Sequence, residues 1–154
     1  MIRKSVLLGA LALMACEGNG DDEERFRAAL SGTFEVPAVT TNASGTARFT
    51  VDGNELDYTL DVQNINGAIA AHIHSGVVGQ NGPPLVFLFQ QAAPGVNVSN
   101  GSLSAGSVDA ADMIPSANVS YDSMLSLIRR GNAYVNVHTT AHPAGEIRGQ
   151  IAED

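Results

Sequence analysis

The sequence predicts an all-β domain, an antiparallel β-sandwich or Greek-key barrel of about eight strands with one short helix, immunoglobulin-like or superoxide-dismutase-like in layout. Three observations carry this. Apolar and polar residues alternate over short runs, turn-forming pairs stand between the runs, and a single segment has helical spacing.

Phe26, Ala28 and Leu30 alternate in the first run, followed by Ala47, Phe49 and Val51 and then by Leu56, Tyr58, Leu60 and Val62. Ile69, Ala71 and Ile73, then Ala133, Val135 and Val137, then Ile147, Gly149 and Ile151 repeat the pattern, each placing apolar side chains on one sheet face. Pro84 to Phe89 is continuously apolar and reads as a central strand, and Ser102 to Val108 reads as a weaker eighth. Turns are expected at Asp52-Gly53-Asn54, Asn66-Gly67, Asn81-Gly82-Pro83, Pro94-Gly95 and Asn100-Gly101. The Ala/Gly/Ser-rich stretch 92–117 has no other readable pattern. Met124, Leu125, Leu127 and Ile128 recur at helical spacing, which predicts a helix over Tyr121 to Arg130, capped by Ser120 and stopped by Gly131.

The first residues are of a different kind. Arg3 and Lys4 precede an apolar run from Ser5 to Ala15. That is signal-peptide length, and about 11 residues cannot span a bilayer as a helix. Leu13-Met14-Ala15-Cys16 resembles the bacterial lipobox, which implies a signal peptide over 1–15 and lipidation of Cys16, the only cysteine of the chain. The acidic segment 16–24 then reads as a tether of roughly 30 Å at most, leaving 25–154 as the folded domain. The expected location is extracytoplasmic, anchored to a lipid bilayer through Cys16. Glu17 after that cysteine favours the outer membrane if the cell is Gram-negative.

Composition excludes several function classes. The net charge is −8, and loss of Arg3 and Lys4 leaves six basic residues against sixteen acidic ones. Nucleic acid is therefore not an expected partner, because phosphate binding requires clustered Lys and Arg. One cysteine rules out an intramolecular disulfide and a cysteine-rich metal site. No Gly-x-Ser-x-Gly and no P-loop is present.

All four histidines fall in two motifs, Ala71-His72-Ile73-His74-Ser75-Gly76 and Val135-Asn136-Val137-His138-Thr139-Thr140-Ala141-His142-Pro143. Residues two apart on a strand share a side, with Cα atoms roughly 6.5–7 Å apart, so His72 and His74 can reach one ion. Their core-facing neighbours leave them on the outer face, where Tyr134, Asn136 and His138 also belong by phase. Neighbouring strands would bring His72, His74 and His138 together as a copper or zinc site with an open position. His142, past the expected strand end, is a possible additional ligand. Glu146 and Arg148 also face away from the core, either as a surface ion pair or as supports behind the ligands.

The run from Phe26 to Ile151 resembles the CHRD (chordin-type) domain. The matching pieces are Leu30 to Pro37, Ala43 to Ala47, Ala71 to Gly76, Gly79 to Pro83, Gly131 to Thr139 and Pro143 to Ile151. The resemblance implies an all-β module of bacterial secreted or surface proteins and of animal antagonists of bone morphogenetic proteins. It matches His72, His74 and His138, not His142. The order of His-x-His, a later strand histidine and Gly-x-x-Arg is also similar to copper–zinc superoxide dismutases. That likeness would make the three histidines copper ligands and put Arg148 near the open position, although the bridging histidine and the disulfide have no counterpart. Three functions follow as expectations. The first is a surface-anchored module binding copper or zinc, the second a metal-free module for a protein or glycan partner, and the third a superoxide-dismutase-like redox enzyme.

Overall fold

The computed structural model describes residues 23–154. The signal peptide over 1–15, Cys16 and most of the tether lie outside the described residues. Arg25–Ser31 forms β1, Ser44–Asp52 β2, Glu55–Ser75 β3, Pro84–Gln90 β4, Val96–Val108 β5, Ala133–Thr139 β6, Ile147–Gln150 β7 and Ala152–Glu153 β8, with helix α1 at Tyr121–Arg129. All strand pairings are antiparallel.

The sheet closes because β3 is long enough to serve two neighbours on each edge. The order β2-β1-β7-β6-β3 returns to its start through the β2–β3 pairing, giving a barrel-like closed sheet. Residues 55–63 of β3 pair with β2, and 68–75 pair with β6. Along the other edge, β5 and then β4 run antiparallel to the same strand. The alternation places Phe49, Leu60, Ile73, Val135 and Ile147 in one core at 0–1% exposure. Burial of that apolar area is the principal stabilising term in a chain that lacks a disulfide.

Two expected boundaries differ. Asn66-Gly67 is not a hairpin turn: β3 continues through it as an irregularity, with Asn64 at φ 56° and Gly67 at φ 69°. The partners on both edges change there, and Thr140 N–H donates to Gly67 C=O at 2.9 Å. A Cβ on Gly67 would lie 2.5 Å from Thr140 Oγ1, so glycine serves a close approach between strand and loop. Asn100-Gly101 likewise falls inside β5.

β4 is not central. It pairs with β3 alone apart from an isolated bridge between Val86 and Met113. Its continuous apolarity is explained by a cover other than a strand: Ile114 N–H donates to Leu85 C=O at 2.8 Å, and Met113, Ala117 and Val119 pack on the core.

Helix α1 forms as the spacing indicates. Ser120 Oγ accepts from Ser123 N–H, Tyr121, Met124, Leu125 and Ile128 are buried, and Gly131 at φ 66° ends the helix after Arg129. Arg129 binds Glu24 through two hydrogen bonds of 2.7 and 2.8 Å, and Glu24 C=O accepts from Val51 N–H. The last residue assigned to the tether therefore belongs to the fold. Among the described residues no helix is long and apolar enough to cross a membrane.

The largest correction concerns the outer face of β3, β6 and β7. Alternation leaves it polar, but most of it is shielded from water: Tyr134, Asn136 and Arg148 are 2–3% exposed, His74, Glu146 and Glu35 are buried with them, and His72 and His138 are half-buried. The segments 32–43 and 76–83 fold over it and form a second, polar layer outside the apolar core.

Candidate metal centre

Strands β3 and β6 carry the three candidate ligands. In their register His74 stands opposite Tyr134, His72 opposite Asn136 and Ala70 opposite His138, so the histidines form a diagonal across two strands. One ring nitrogen from each of His72, His74 and His138 lies within 4.8 Å of the others. Two of the rings are oriented by backbone carbonyls: His74 Nδ1 is 2.8 Å from Gly82 C=O, and His138 Nδ1 is 3.0 Å from Pro143 C=O. Each of these Nδ1 atoms must donate, which leaves its Nε2 a lone pair. His72 Nδ1 approaches His138 Nε2 at 3.0 Å, whereas His74 Nε2 is buried with no hydrogen-bond partner.

Burial holds the imidazoles neutral. His72 is pushed down to about 4, first by desolvation and then by the neighbouring His138 and His74. Desolvation also lowers His74 and His138, against the opposing effects of the Gly82 and Pro143 carbonyls. Unprotonated nitrogen is the form a metal ion requires. Phe87 of β4 packs on His72 with ring centroids 4.5 Å apart and is 42% exposed, so the cluster is covered on that side by one surface aromatic.

Behind the cluster stands a stack of three side chains from three adjacent strands. Tyr134 lies nearly parallel to His74, at 12° with centroids 4.9 Å apart, and the Arg148 guanidinium carbon lies 3.4 Å from the Tyr134 centroid. Arg148 donates to Asn81 Oδ1 at 3.0 Å and to the Gln80 and Val77 carbonyls. The loop thus pinned contains Gly82, whose carbonyl orients His74. A Cβ at Gly82 would collide with Ser75 C=O, which accounts for glycine there.

Of the two readings left open for Glu146 and Arg148, a surface ion pair is corrected. Both residues are buried, and among the described residues no salt bridge joins them. Arg148 packs on Tyr134, which lies nearly parallel to His74. Glu146 accepts from Thr41 Oγ1 and Thr139 Oγ1, each at 2.7 Å, and so braces the turn that follows His138. His142 is outside the three-histidine cluster; its backbone closes that turn on Thr139.

Sequence reasoning assigned no role to Glu35 or Phe87 and left Asn136 as a strand residue. Glu35 and Asn136 are buried, each with one oxygen lacking a partner. The available signal for Glu35 was a carboxylate set between Phe34 and Val36.

The family model of the CHRD domain matches residues 26–151. Chordin of Xenopus laevis is 30% identical over 137 residues, which cover 83% of this chain and 13% of that protein. The chain thus corresponds to a small part of its relative. No solved structure matches.

Proposed function

This chain belongs to the CHRD domain family, and from that premise we propose that it is an extracytoplasmic CHRD module that binds a transition-metal ion, copper or zinc, through His72, His74 and His138. The observation that carries the reading is His74 Nε2, a buried lone pair without a donor inside a cluster of three neutral imidazoles. An unpaired buried acceptor is costly, and a metal ion would satisfy it. The carbonyls on His74 and His138 are the type of outer support that fixes tautomer and ring orientation at metal sites. Three nitrogen ligands suit copper and zinc, whereas magnesium and calcium prefer oxygen.

Metal analysis and calorimetry of tag-free protein test the proposal. Saturable Cu²⁺ or Zn²⁺ binding with about one ion per chain is expected, lost in His72→Ala and little changed in His142→Ala. No saturable binding, or binding indifferent to His72→Ala, would refute it. Within the same proposal the domain is tethered to a bilayer through Cys16.

A metal-free interaction module for a protein or glycan is the second reading, favoured by the exposed apolar residues Phe34, Val77 and Val78. A superoxide-dismutase-like redox enzyme would want Arg148 facing an open coordination position. Its packing on Tyr134 and its bonds to loop oxygens favour a bracing role instead.

A further inference from the structure

Every strand longer than two residues has strand partners on both edges except β4 and β5, which pair with β3 alone. The second edge of β4 is covered: Met113 bridges to Val86, Ile114 N–H donates to Leu85 C=O, and the hydroxyls of Tyr58 and Ser104 donate to Leu88 C=O. β5 is 13 residues long, and among the described residues no other backbone bonds its second edge. Open edges are ordinarily kept short or guarded by charge, proline or a bulge. This one has a register shift near Ser102 but no charged residue and no proline from Val96 to Val108. At about 3.3 Å per residue it presents roughly 40 Å of strand with N–H and C=O groups free to pair.

The two faces beside that edge differ. On the core side Val96, Val98 and Leu103 pack against the apolar core yet are only half-buried, so an added strand would complete their cover. On the solvent side the register sets Asp57 beside Ser107 and Asp61 beside Ser102, and Asp109 follows the strand. Asp57 is exposed and, among the described residues, joins no salt bridge, while Asp61 has only Arg48 at 3.7 Å. Ser102, Ala105 and Ser107 are small. Long side chains on a strand laid along β5 could cross them to the carboxylates of β3, two strand spacings or about 10 Å away.

Charge selects the occupant. A second copy of β5 would bring no cation to those carboxylates, and each chain carries a net charge of −8. A strand that alternates apolar and basic residues answers both faces at once. We infer that the open edge of β5 docks an extended segment of a partner protein in which apolar residues alternate with Lys or Arg. Its apolar side chains continue the row of Val96, Val98 and Leu103, and its basic ones reach Asp57 and Asp61. Main-chain hydrogen bonds to β5 supply the attachment, and the carboxylates supply the selection. The site uses none of the histidines and does not rest on metal binding.

The probe is the acetylated, amidated heptapeptide Lys-Val-Lys-Val-Lys-Val-Lys, titrated into the ¹⁵N-labelled full chain with EDTA present. Saturable amide shifts are expected along 96–108, with affinity at least about tenfold above that of the same peptide carrying Glu in place of Lys. Successive residues of a strand turn their N–H groups to opposite edges, so N-methylating the valines blocks one edge of the peptide and N-methylating the lysines blocks the other. One of these two forms should bind about tenfold or more weakly than the other. Asp57→Lys changes an exposed position, spares the fold and should weaken the parent peptide about threefold or more. No saturable shifts along 96–108, equal binding of the acidic peptide, equal binding of the two methylated forms, or unchanged affinity in Asp57→Lys would overturn the assignment. Concentration-dependent shifts along 96–108 without peptide would show a second copy on this edge and overturn it as well.

Discussion

His72 Nδ1 lies 3.0 Å from His138 Nε2, and because His138 Nδ1 faces the Pro143 carbonyl, the proton between the two rings belongs to His72. A metal ion bound at this cluster through that atom of His72 would take the place of the proton. The histidines are thus held in a geometry where one hydrogen bond substitutes for coordination, and His74 Nε2 has no substitute at all.

Metal affinity should depend weakly on pH. Three ordinary imidazoles, with pKa about 6.5, would together lose roughly 10³-fold in affinity at a pH one unit below that value. Here desolvation and mutual proximity hold His72 down to about 4, and His74 and His138 are lowered too. Zn²⁺ titrations from about pH 7.5 to 5.5 should therefore show a loss clearly smaller than about 10³-fold. A loss near 10³-fold would mean that the rings are solvated.

Two buried groups should act on metal-free stability with opposite signs. His72 has a folded pKa below its ordinary value, so the unfolded chain binds more protons between about 6.5 and 4, and stability falls as pH falls through that window. Glu35 is raised from 4.5 to about 7, so the folded chain binds more protons between those values, and stability rises as pH falls. Glu35→Gln removes the second effect. Urea midpoints should show the variant gaining stability relative to wild type at about pH 8 and losing it more steeply toward pH 5. Parallel pH curves would contradict the burial of this carboxyl.

Arg148→Lys should destabilise the protein by about 2–4 kcal/mol, because an ammonium cannot reproduce the forked donation to Asn81, Gln80 and Val77 or the stacking on Tyr134. Urea denaturation gives the loss, and the Gly82 amide resonance should shift with it. A neutral result would show the guanidinium to be dispensable to the loop.

In the core, Leu60 and Val135 are both fully buried. Leu60→Ala should cost about 2–5 kcal/mol through lost burial and the cavity left behind. Val135→Asp should prevent folding at ordinary temperature, since it buries a charge without a partner. Circular dichroism melts decide both, and a near-native melting temperature for Val135→Asp would contradict the core assignment.

At the N-terminus, the unaltered chain should incorporate a labelled fatty acid and Cys16→Ser should abolish that incorporation. The outcome is read on the intact protein from cells fed the analogue. Unlabelled wild-type protein in the cytoplasm would end the anchoring proposal.

The convergence of the three histidines was legible because its signals are local. His72 and His74 share a strand, and His138 has matching phase on a strand that turns out to be β3's neighbour. Glu35 was not legible as a buried residue. Its burial depends on Gly145 and Asn136, more than a hundred residues further along the chain, and neither reveals its contact in the sequence. β4 was misplaced for a related reason: continuous apolarity reports burial on both faces, not whether a strand or the Met113–Val119 segment supplies the cover.

Sequence alone therefore determined the all-β class, the capped helix at Tyr121, the core faces and the identity of the three convergent histidines, since each follows from side-chain periodicity along a few residues of backbone. Only the tertiary structure decided that most of the polar face is buried, that Arg148 stacks on Tyr134 beside His74, that His142 stands apart and that Glu35 lines a cleft. Those outcomes depend on where the loops at 32–43 and 76–83 come to rest, as in the contact between Asn81 and Arg148, 67 positions apart. Loop placement is settled by packing and hydrogen bonding against distant strands, and a local pattern carries no record of it.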